Sequence, residues 1–149
     1  MKFVHTNIVS KNWRQLVDFY VKTFDCKLIP PIRNQSGDWL ERGTGLKDAH
    51  LEGAHLLLPG HGENGPTLEI YQYTSIEDRN VAPPNKRGFG HIAFEVENVE
   101  SVLKNLLDNG GRANGKVTKR KVAGVGEITF VYARDPEGNL IELQSWEKD

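Results

Sequence analysis

The sequence has little cysteine, no long apolar run and no excess of charge of either sign. Its 149 residues include one cysteine, Cys26, and 19 lysines and arginines stand against 20 acidic residues. A single cysteine cannot form an internal disulfide, which fits a reducing cytoplasm, and the balanced charge argues against a nucleic-acid-binding surface. The chain lacks the roughly 20 consecutive apolar residues of a transmembrane helix. It begins directly with an alternating strand pattern, so we expect neither a signal peptide nor a membrane span.

The chain does contain the same order of elements twice. In each half, hydrophobic periodicity predicts a strand, a helix and then three strands. Asn12 and Asn98 occupy N-cap positions before the two helices, Gln15 would complete a capping box, and Gly110 ends the second helix. These patterns predict a module over residues 1–80, a proline-bearing linker over 81–87 and a second module over 88–149. The predicted strands are 2–9, 26–32, 49–58 and 66–73, then 88–96, 116–122, 127–133 and 139–146, with a loop over 33–48.

A histidine and a glutamate recur at matching positions of the two halves. His5 and His91 each follow a phenylalanine by two residues, and Glu69 and Glu142 each lie between two aliphatic residues. A carboxylate among apolar strand residues is costly unless it is paired, protonated or bound to a cation. One divalent ion bound by all four residues explains the repetition, because two carboxylates cancel its charge and two neutral imidazoles complete the set. Such mixed ligands suit Zn, Ni, Co, Mn or Fe(II) and argue against a structural, thiolate-bound zinc.

The sequence around these residues resembles the glyoxalase, or vicinal oxygen chelate, superfamily. The resemblance extends over nearly the whole chain and is strongest in segments 5–8, 18–20, 90–94 and 135–143. It implies an α+β fold in which two βαβββ modules pair into an open, cupped mixed sheet with helices on the outside. It also implies a metal ion on the concave face. The implied ligands come from the first and last strand of each module: His5, Glu69, His91 and Glu142.

The His, Glu, His, Glu order is similar to that of glyoxalase I, which isomerises the adduct of glutathione and methylglyoxal. The resemblance implies a metal-dependent lyase or isomerase that abstracts a proton next to a carbonyl of a small α-oxo or thioester substrate. Glu142 would be the base and Glu69 its counterpart. Bacterial glyoxalase I has an arginine at the position of Val9 and an asparagine at that of Tyr73, and both help to hold glutathione. These two departures favour a different substrate.

Other functions of the same fold stay open. Methylmalonyl-CoA epimerase usually has glutamine at the position of Glu69 and adds a carboxylate base on an earlier strand, where Glu52 is a candidate. A solvent-facing Glu52 is the more common explanation. A noncatalytic ligand-binding or resistance protein would typically lack the full ligand set, and an extradiol dioxygenase would use three ligands. We expect a cytoplasmic homodimer with a small-molecule substrate and no nucleic-acid or membrane partner.

The remaining polar residues have ordinary explanations. His55 could face the pocket, although a surface or packing role is more common for a lone strand histidine. Arg33 could bind an anionic tail, although charged residues in loops are usually solvated. Tyr71 could line a substrate cavity, although core packing explains aromatic strand residues more often. No neighbour of Cys26 in the sequence would lower the pKa of its thiol, so we expect a packed thiol and not a nucleophile.

Overall fold

Two compact units make up the chain in a computed structural model, which describes residues 1–78 and 80–148. The units are Met1–Arg79 and Asn80–Asp149. Each unit contains one open sheet with both parallel and antiparallel strand pairs, and helices connect some of its strands. The predicted α+β class is therefore confirmed. Over the described ranges, no helix is both long enough and apolar enough to span a membrane.

The elements of the first unit are β1 (His5–Val9), α1 (Trp13–Phe24), β2 (Lys27–Ser36), α2 (Asp38–Thr44), β3 (His50–Leu57) and β4 (Thr67–Tyr73). The strands form a four-stranded sheet with the order β1-β4-β3-β2. In this sheet, β1 and β4 pair in parallel, and the other neighbours are antiparallel. The first and last strands of the unit are therefore adjacent although they are far apart in sequence.

Helix α1 begins where the sequence predicts and covers one face of the first sheet. The side chain of Asn12 accepts a hydrogen bond from the backbone N–H of Gln15 at 3.2 Å, which satisfies a free donor of the first turn. Leu16 and Tyr20, one helical turn apart, are both fully buried as α1 packs on β3 and β4. Because strand side chains alternate, the residues between the buried ones of β3 and β4 point to the opposite face.

The segment 33–48 is not the predicted loop. Strand β2 continues beyond the predicted end at residue 32, and the short helix α2 follows it. Leu40 of α2 is buried in a cluster with Tyr71 and Tyr73 at its margin, so α2 lies on the sheet face opposite to α1. Leu40 is the one buried residue of this seven-residue helix. A single buried position produces no helical periodicity, so the sequence does not reveal the helix.

The second unit has a similar but not identical arrangement, with the elements β5 (Ile92–Glu95), α3 (Val99–Asp108), β6 (Arg112–Ala113), β7 (Thr118–Val122), β8 (Gly126–Arg134) and β9 (Leu140–Glu147). Strands β5 and β9 pair in parallel, β8 pairs antiparallel with β9, and both β6 and β7 pair with β8. The strand predicted over 88–96 begins only at Ile92, so the predicted start is wrong and the predicted ligand His91 lies one residue before β5.

Local sequence signals again fix the ends of the helix in the second unit. Asn98 accepts a hydrogen bond from the backbone N–H of Ser101 at 2.7 Å, as a capping residue should. Gly110, just past the last helical turn, has a φ of +94°, a conformation that glycine adopts without the steric cost of a side chain. Both predicted boundaries of α3 therefore have the expected chemistry.

The turn between β8 and β9 is organised by Asp135, whose side chain is completely buried. Its Oδ1 accepts hydrogen bonds from the backbone N–H groups of Glu137 and Asn139 at 3.0 and 2.9 Å, and its Oδ2 accepts one from the Asn139 side chain at 2.7 Å. Arg134 donates to the carbonyl oxygen of Gly138 at 2.7 Å. These bonds fix the point at which β9 begins and thereby the register of that strand against β8.

Candidate metal-binding site

In the first unit, the strand register brings one predicted glutamate between two histidines. Glu69 of β4 lies opposite Asn7 of β1 and opposite His55 of β3. His5 and Asn7 share a face of β1 because side chains alternate. His5, Asn7, His55, Glu69 and, two residues further along β4, Tyr71 therefore belong to one face of the sheet. We call this face, which is the one opposite to α1, the site face of the first sheet.

Two imidazole rings contact the same oxygen of Glu69. His5 Nδ1 and His55 Nε2 each lie 3.3 Å from Oε1 of Glu69, and His55 Nε2 lies 2.5 Å from the hydroxyl oxygen of Tyr71. The Glu69 side chain is 12% exposed, whereas that of His5 is 45% exposed. The carboxylate is thus nearly buried and held by polar partners, with His5 open to solvent beside it.

Burial shifts the pKa values of two groups on the site face. It lowers the pKa of His55, and the charge of Glu69 opposes that shift, while Arg33 and His5 add to it. The pKa of Tyr71 is raised to about 12, mainly by burial and to a smaller extent by the charge of Glu69. At neutral pH, His55 is therefore a neutral imidazole and Tyr71 keeps its hydroxyl proton. Both states suit groups that share hydrogen bonds with a carboxylate.

The second unit contains the other predicted pair. His91 Nε2 lies 2.9 Å from Oε2 of Glu142, and the two side chains are 32% and 15% exposed. Tyr132 of β8 lies opposite Glu142, and its ring centroid is 4.9 Å from that of His91. Tyr132 therefore occupies in this sheet the register position that His55 occupies in the first. Beside the second His–Glu pair lies the phenol ring of a tyrosine, where the first pair has the imidazole of His55.

The structure thus joins His5 with Glu69 and His91 with Glu142, each pair within its own unit. Convergence of both pairs on one ion stays a prediction. In the part of the chain that the structure describes, no group of three or more His, Cys, Asp and Glu side chains has the arrangement of a complete metal site.

The chemistry of the two pairs fits a divalent ion. Two ligand atoms that each lie about 2.1 Å from one ion are about 3.0 Å apart at a right angle and about 3.4 Å apart at the tetrahedral angle. The N···O distances of 3.3 Å in the first pair and 2.9 Å in the second lie close to that range. A small cation could therefore be shared by either pair with little rearrangement of its donors, which combine imidazole nitrogen with carboxylate oxygen.

Glu52, the candidate second base, is not on the site face. It lies opposite Gln72 on β4, which has the opposite orientation to Glu69 and Tyr71. Its carboxylate is 3.6 Å from the guanidinium of Arg14 on α1 and accepts a hydrogen bond from Asn34 at 3.4 Å. Its polar partners therefore lie on the α1 side of the sheet, and the geometry does not associate it with Glu69.

His55 is the residue whose position the sequence did not reveal. A surface or packing role was the more common expectation, whereas the structure places its ring against Glu69 and Tyr71. The predicted hairpin contained a signal for this contact, because antiparallel pairing of β3 with β4 across the turn after residue 58 places His55 opposite Glu69.

Cys26 is 2% exposed, and its burial, together with the smaller effect of the Asp25 charge, raises the pKa of its thiol to about 12. The prediction that it is packed is confirmed.

Comparisons with known proteins agree with this architecture. The sequence profile described as the Glyoxalase/Bleomycin resistance protein/Dioxygenase superfamily matches residues 2–143. A lactoylglutathione lyase of Schizosaccharomyces pombe is 29% identical over 156 aligned positions, which cover 97% of this chain and 47% of that protein. This chain thus spans about half the length of that relative.

Solved structures of low sequence identity share the fold. A glyoxalase family protein from Bacillus cereus has a TM-score of 0.78 at 24% identity, over 98% of this chain and 93% of that chain. A variant of glyoxalase I from Zea mays has a TM-score of 0.63 at 20% identity, over 99% of this chain and 45% of that chain. At these identities the likeness concerns the arrangement of strands and helices.

Proposed function

The chain belongs to the Glyoxalase/Bleomycin resistance protein/Dioxygenase superfamily, and from this premise we propose that it is a divalent-metal-dependent lyase or isomerase. Its substrate would be a small α-oxo compound or thioester, and its reaction would begin with removal of a proton next to the carbonyl. The observation that carries the proposal is the recurrence of a His–Glu contact in both units, at 3.3 Å for His5 with Glu69 and at 2.9 Å for His91 with Glu142. The name of the lactoylglutathione lyase relative supports the same reaction class.

The residues that would hold the ion are those of the two pairs: His5, Glu69, His91 and Glu142. Zn, Ni, Co, Mn and Fe(II) all accept such a mixture of imidazole and carboxylate ligands. When bound, a divalent ion supplies electrophilic stabilisation of the negative charge that develops on the substrate oxygens.

The chain itself supplies the proton-transferring groups. Glu142 would take the proton from the carbon next to the carbonyl, since its carboxylate is mostly shielded and contacts only His91 among the ion pairs of the described residues. Glu69 would act as its counterpart, on the other side of the substrate. The exposed edge of His5 beside Glu69 would leave room for a small molecule.

The site face of the first sheet bears on the nature of the substrate. Val9 and Tyr73 occupy the positions at which the sequence departs from glyoxalase I, and Tyr73 packs at the margin of the Leu40 cluster. Arg33 lies opposite Gly53 on the same face, where its charge influences the pKa of His55. We therefore propose an anionic substrate other than the glutathione adduct. The orientation of Glu52 towards Arg14 makes an epimerase with a second base on that strand the weaker choice.

The proposal also includes a location and an oligomeric state. We place the protein in the cytoplasm, because its lone cysteine, Cys26, fits a reducing environment. Members of this superfamily pair their modules within one chain or between two chains, and we propose a homodimer here.

Metal analysis and a deuterium-exchange assay test the proposal together. The purified protein should contain about one divalent ion per chain, and the metal-loaded protein should exchange the α-proton of α-oxo thiol adducts or acyl-CoA thioesters with deuterium from the solvent. Glu142→Gln should reduce exchange by about 100-fold or more while some metal stays bound. Glu147→Gln, an exposed change on the same strand, is the matched control and should keep full activity.

Two outcomes would overturn it. Protein without a divalent ion that also fails to take one up would favour a noncatalytic binding protein of the same fold. Full exchange activity in the Glu142→Gln variant would remove this residue from the role of base.

A further inference from the structure

The two glutamates of the proposed site have different surroundings. Across the β3–β4 pair, Glu69 faces His55, and across the β8–β9 pair, Glu142 faces Tyr132. His55 contacts Glu69 through Nε2, a polar atom, whereas Tyr132 lies beside His91 ring to ring. The repeated fold therefore supports a polar contact at one glutamate and an aromatic contact near the other.

His55 bridges two residues of the neighbouring strand. Its Nε2 lies 3.3 Å from Oε1 of Glu69 and 2.5 Å from the hydroxyl oxygen of Tyr71, and these two residues are adjacent side chains on one face of β4. In one tautomer, Nε2–H donates to the carboxylate; in the other, the hydroxyl donates to Nε2. In both cases a polar partner on β4 restrains the ring, and in the first tautomer the hydrogen bond from Nε2–H also restrains the rotation of the Glu69 side chain.

The geometry of the His55–Tyr71 contact shows that polar atoms hold it together. Their ring planes are inclined by 54° with centroids 5.8 Å apart, so the rings do not stack face to face. The His55 side chain is 21% exposed and therefore does not fill a sealed core position. A residue that served only as packing would not need its nitrogen aimed at a carboxylate that already has His5 as a neighbour.

We propose that His55, assisted by Tyr71, is a positioning residue that holds the carboxylate of Glu69 in the orientation in which it would bind the metal. This inference rests on the proposed function, because Glu69 is a metal ligand only within that proposal. Outer partners that orient a metal ligand commonly change metal affinity by 10- to 100-fold when they are removed. The expected consequence is a change in the metal site itself, not only in activity.

Titration of the full chain with Co²⁺ tests this assignment, because the visible absorption of bound Co²⁺ depends on the geometry of its ligands. His55→Leu should weaken Co²⁺ binding by about 10- to 100-fold and alter the absorption bands. His55→Gln keeps a polar group near the position of Nε2 and should recover most of the affinity and spectrum. Tyr71→Phe should cause a smaller change in the same direction.

Two control variants separate positioning from general damage. His50→Leu removes another histidine of β3, one whose ring bonds to Asn34 and Thr74 instead of Glu69, and Tyr73→Phe removes the next tyrosine hydroxyl of β4. Both should bind Co²⁺ with the affinity and spectrum of the unmodified protein. Thermal unfolding without metal checks that each variant is folded.

The outcomes are distinct for the inference and for the proposed function. An unmodified protein that binds no Co²⁺ would overturn both. An unmodified protein that binds Co²⁺, together with a folded His55→Leu variant of identical affinity and spectrum, would overturn the positioning role alone. An equal loss in His55→Leu and His55→Gln with an unchanged spectrum would also contradict it, since this pattern indicates a packing defect.

Discussion

His91 lies directly against Glu142, with Nε2 2.9 Å from Oε2, although a helix and four strands, β5 to β8, separate the two residues in the chain. The contact exists because β5 and β9, the first and last strands of the second unit, pair in parallel with Ala93 opposite Glu142. The first unit produces the contact of His5 with Glu69 in the same way, through parallel pairing of β1 with β4. One folding rule, used twice, thus generates both candidate metal-binding pairs.

A metal ion that binds the folded protein should stabilise it. At a free concentration 100 times the dissociation constant, the free energy of unfolding should rise by about 2.7 kcal/mol, and a chelator should reverse the increase. Thermal unfolding with and without Zn²⁺, Ni²⁺ or Co²⁺ measures the effect. Glu142→Gln should reduce the increase, and Glu147→Gln should keep it. An identical increase in both variants would contradict the ligand role of Glu142.

The free energy of unfolding should decrease at alkaline pH because of Cys26. Burial raises the pKa of its thiol from 9.0 to about 12 in the folded chain, so between these pH values the unfolded chain releases a proton that the folded chain retains. Stability is therefore complete below pH 9.0 and falls as the pH rises towards 12. Denaturant unfolding at a series of pH values should show a steeper fall for the unmodified protein than for Cys26→Ala. Equal slopes would contradict the shift.

The same burial should protect Cys26 from alkylation. At pH 8 the thiol should resist iodoacetamide in the folded protein and react rapidly after denaturation, because the thiolate is the reactive form and the side chain is 2% exposed. Mass spectrometry of both samples measures the modification. Rapid alkylation of the folded chain would show that the thiol is accessible.

Substitution of Gly53 should destabilise the first sheet, since a methyl group there would meet the carbonyl oxygen of Ile70 and the ring of Tyr71. We expect Gly53→Ala to cost about 1–3 kcal/mol, as overpacking usually does. Gly43→Ala is the matched control: it lies within α2 with open space around its Cβ position and should stabilise by about 0.5–1 kcal/mol. Denaturant unfolding measures both. Equal effects of the two changes would contradict the close approach at Gly53.

The packing of α3 can be tested with two adjacent leucines. Leu106 is fully buried and Leu107 is 44% exposed. We expect Leu106→Ala to lower the free energy of unfolding by about 2–5 kcal/mol, because it removes buried apolar area and leaves a cavity. Leu107→Ala should cost less than about 1 kcal/mol. A larger loss at Leu107 would mean that the helix presents its other face to the sheet.

The sequence by itself determined the features that depend on near neighbours. Asn12 and Asn98 each accept a hydrogen bond from a backbone N–H three residues ahead, so a short segment contains all the information that starts α1 and α3. Strand alternation and the internal repeat likewise selected His5, Glu69, His91 and Glu142 as candidate ligands, and their role as ligands stays a prediction. Their pairing within each unit follows from the strand order of the repeated module.

Only the tertiary structure decided which side chains share a face across neighbouring strands. His55 reached Glu69, and Glu52 turned to the α1 side, because the register of β3 against β4 selects one face for each residue. A shift of that register by one residue would exchange the two, and nothing local to either residue specifies it. The sequence did not predict helix α2 for a related reason. The buried cluster that contains Leu40 packs against Tyr71 and Tyr73, which lie more than 30 residues further along the chain.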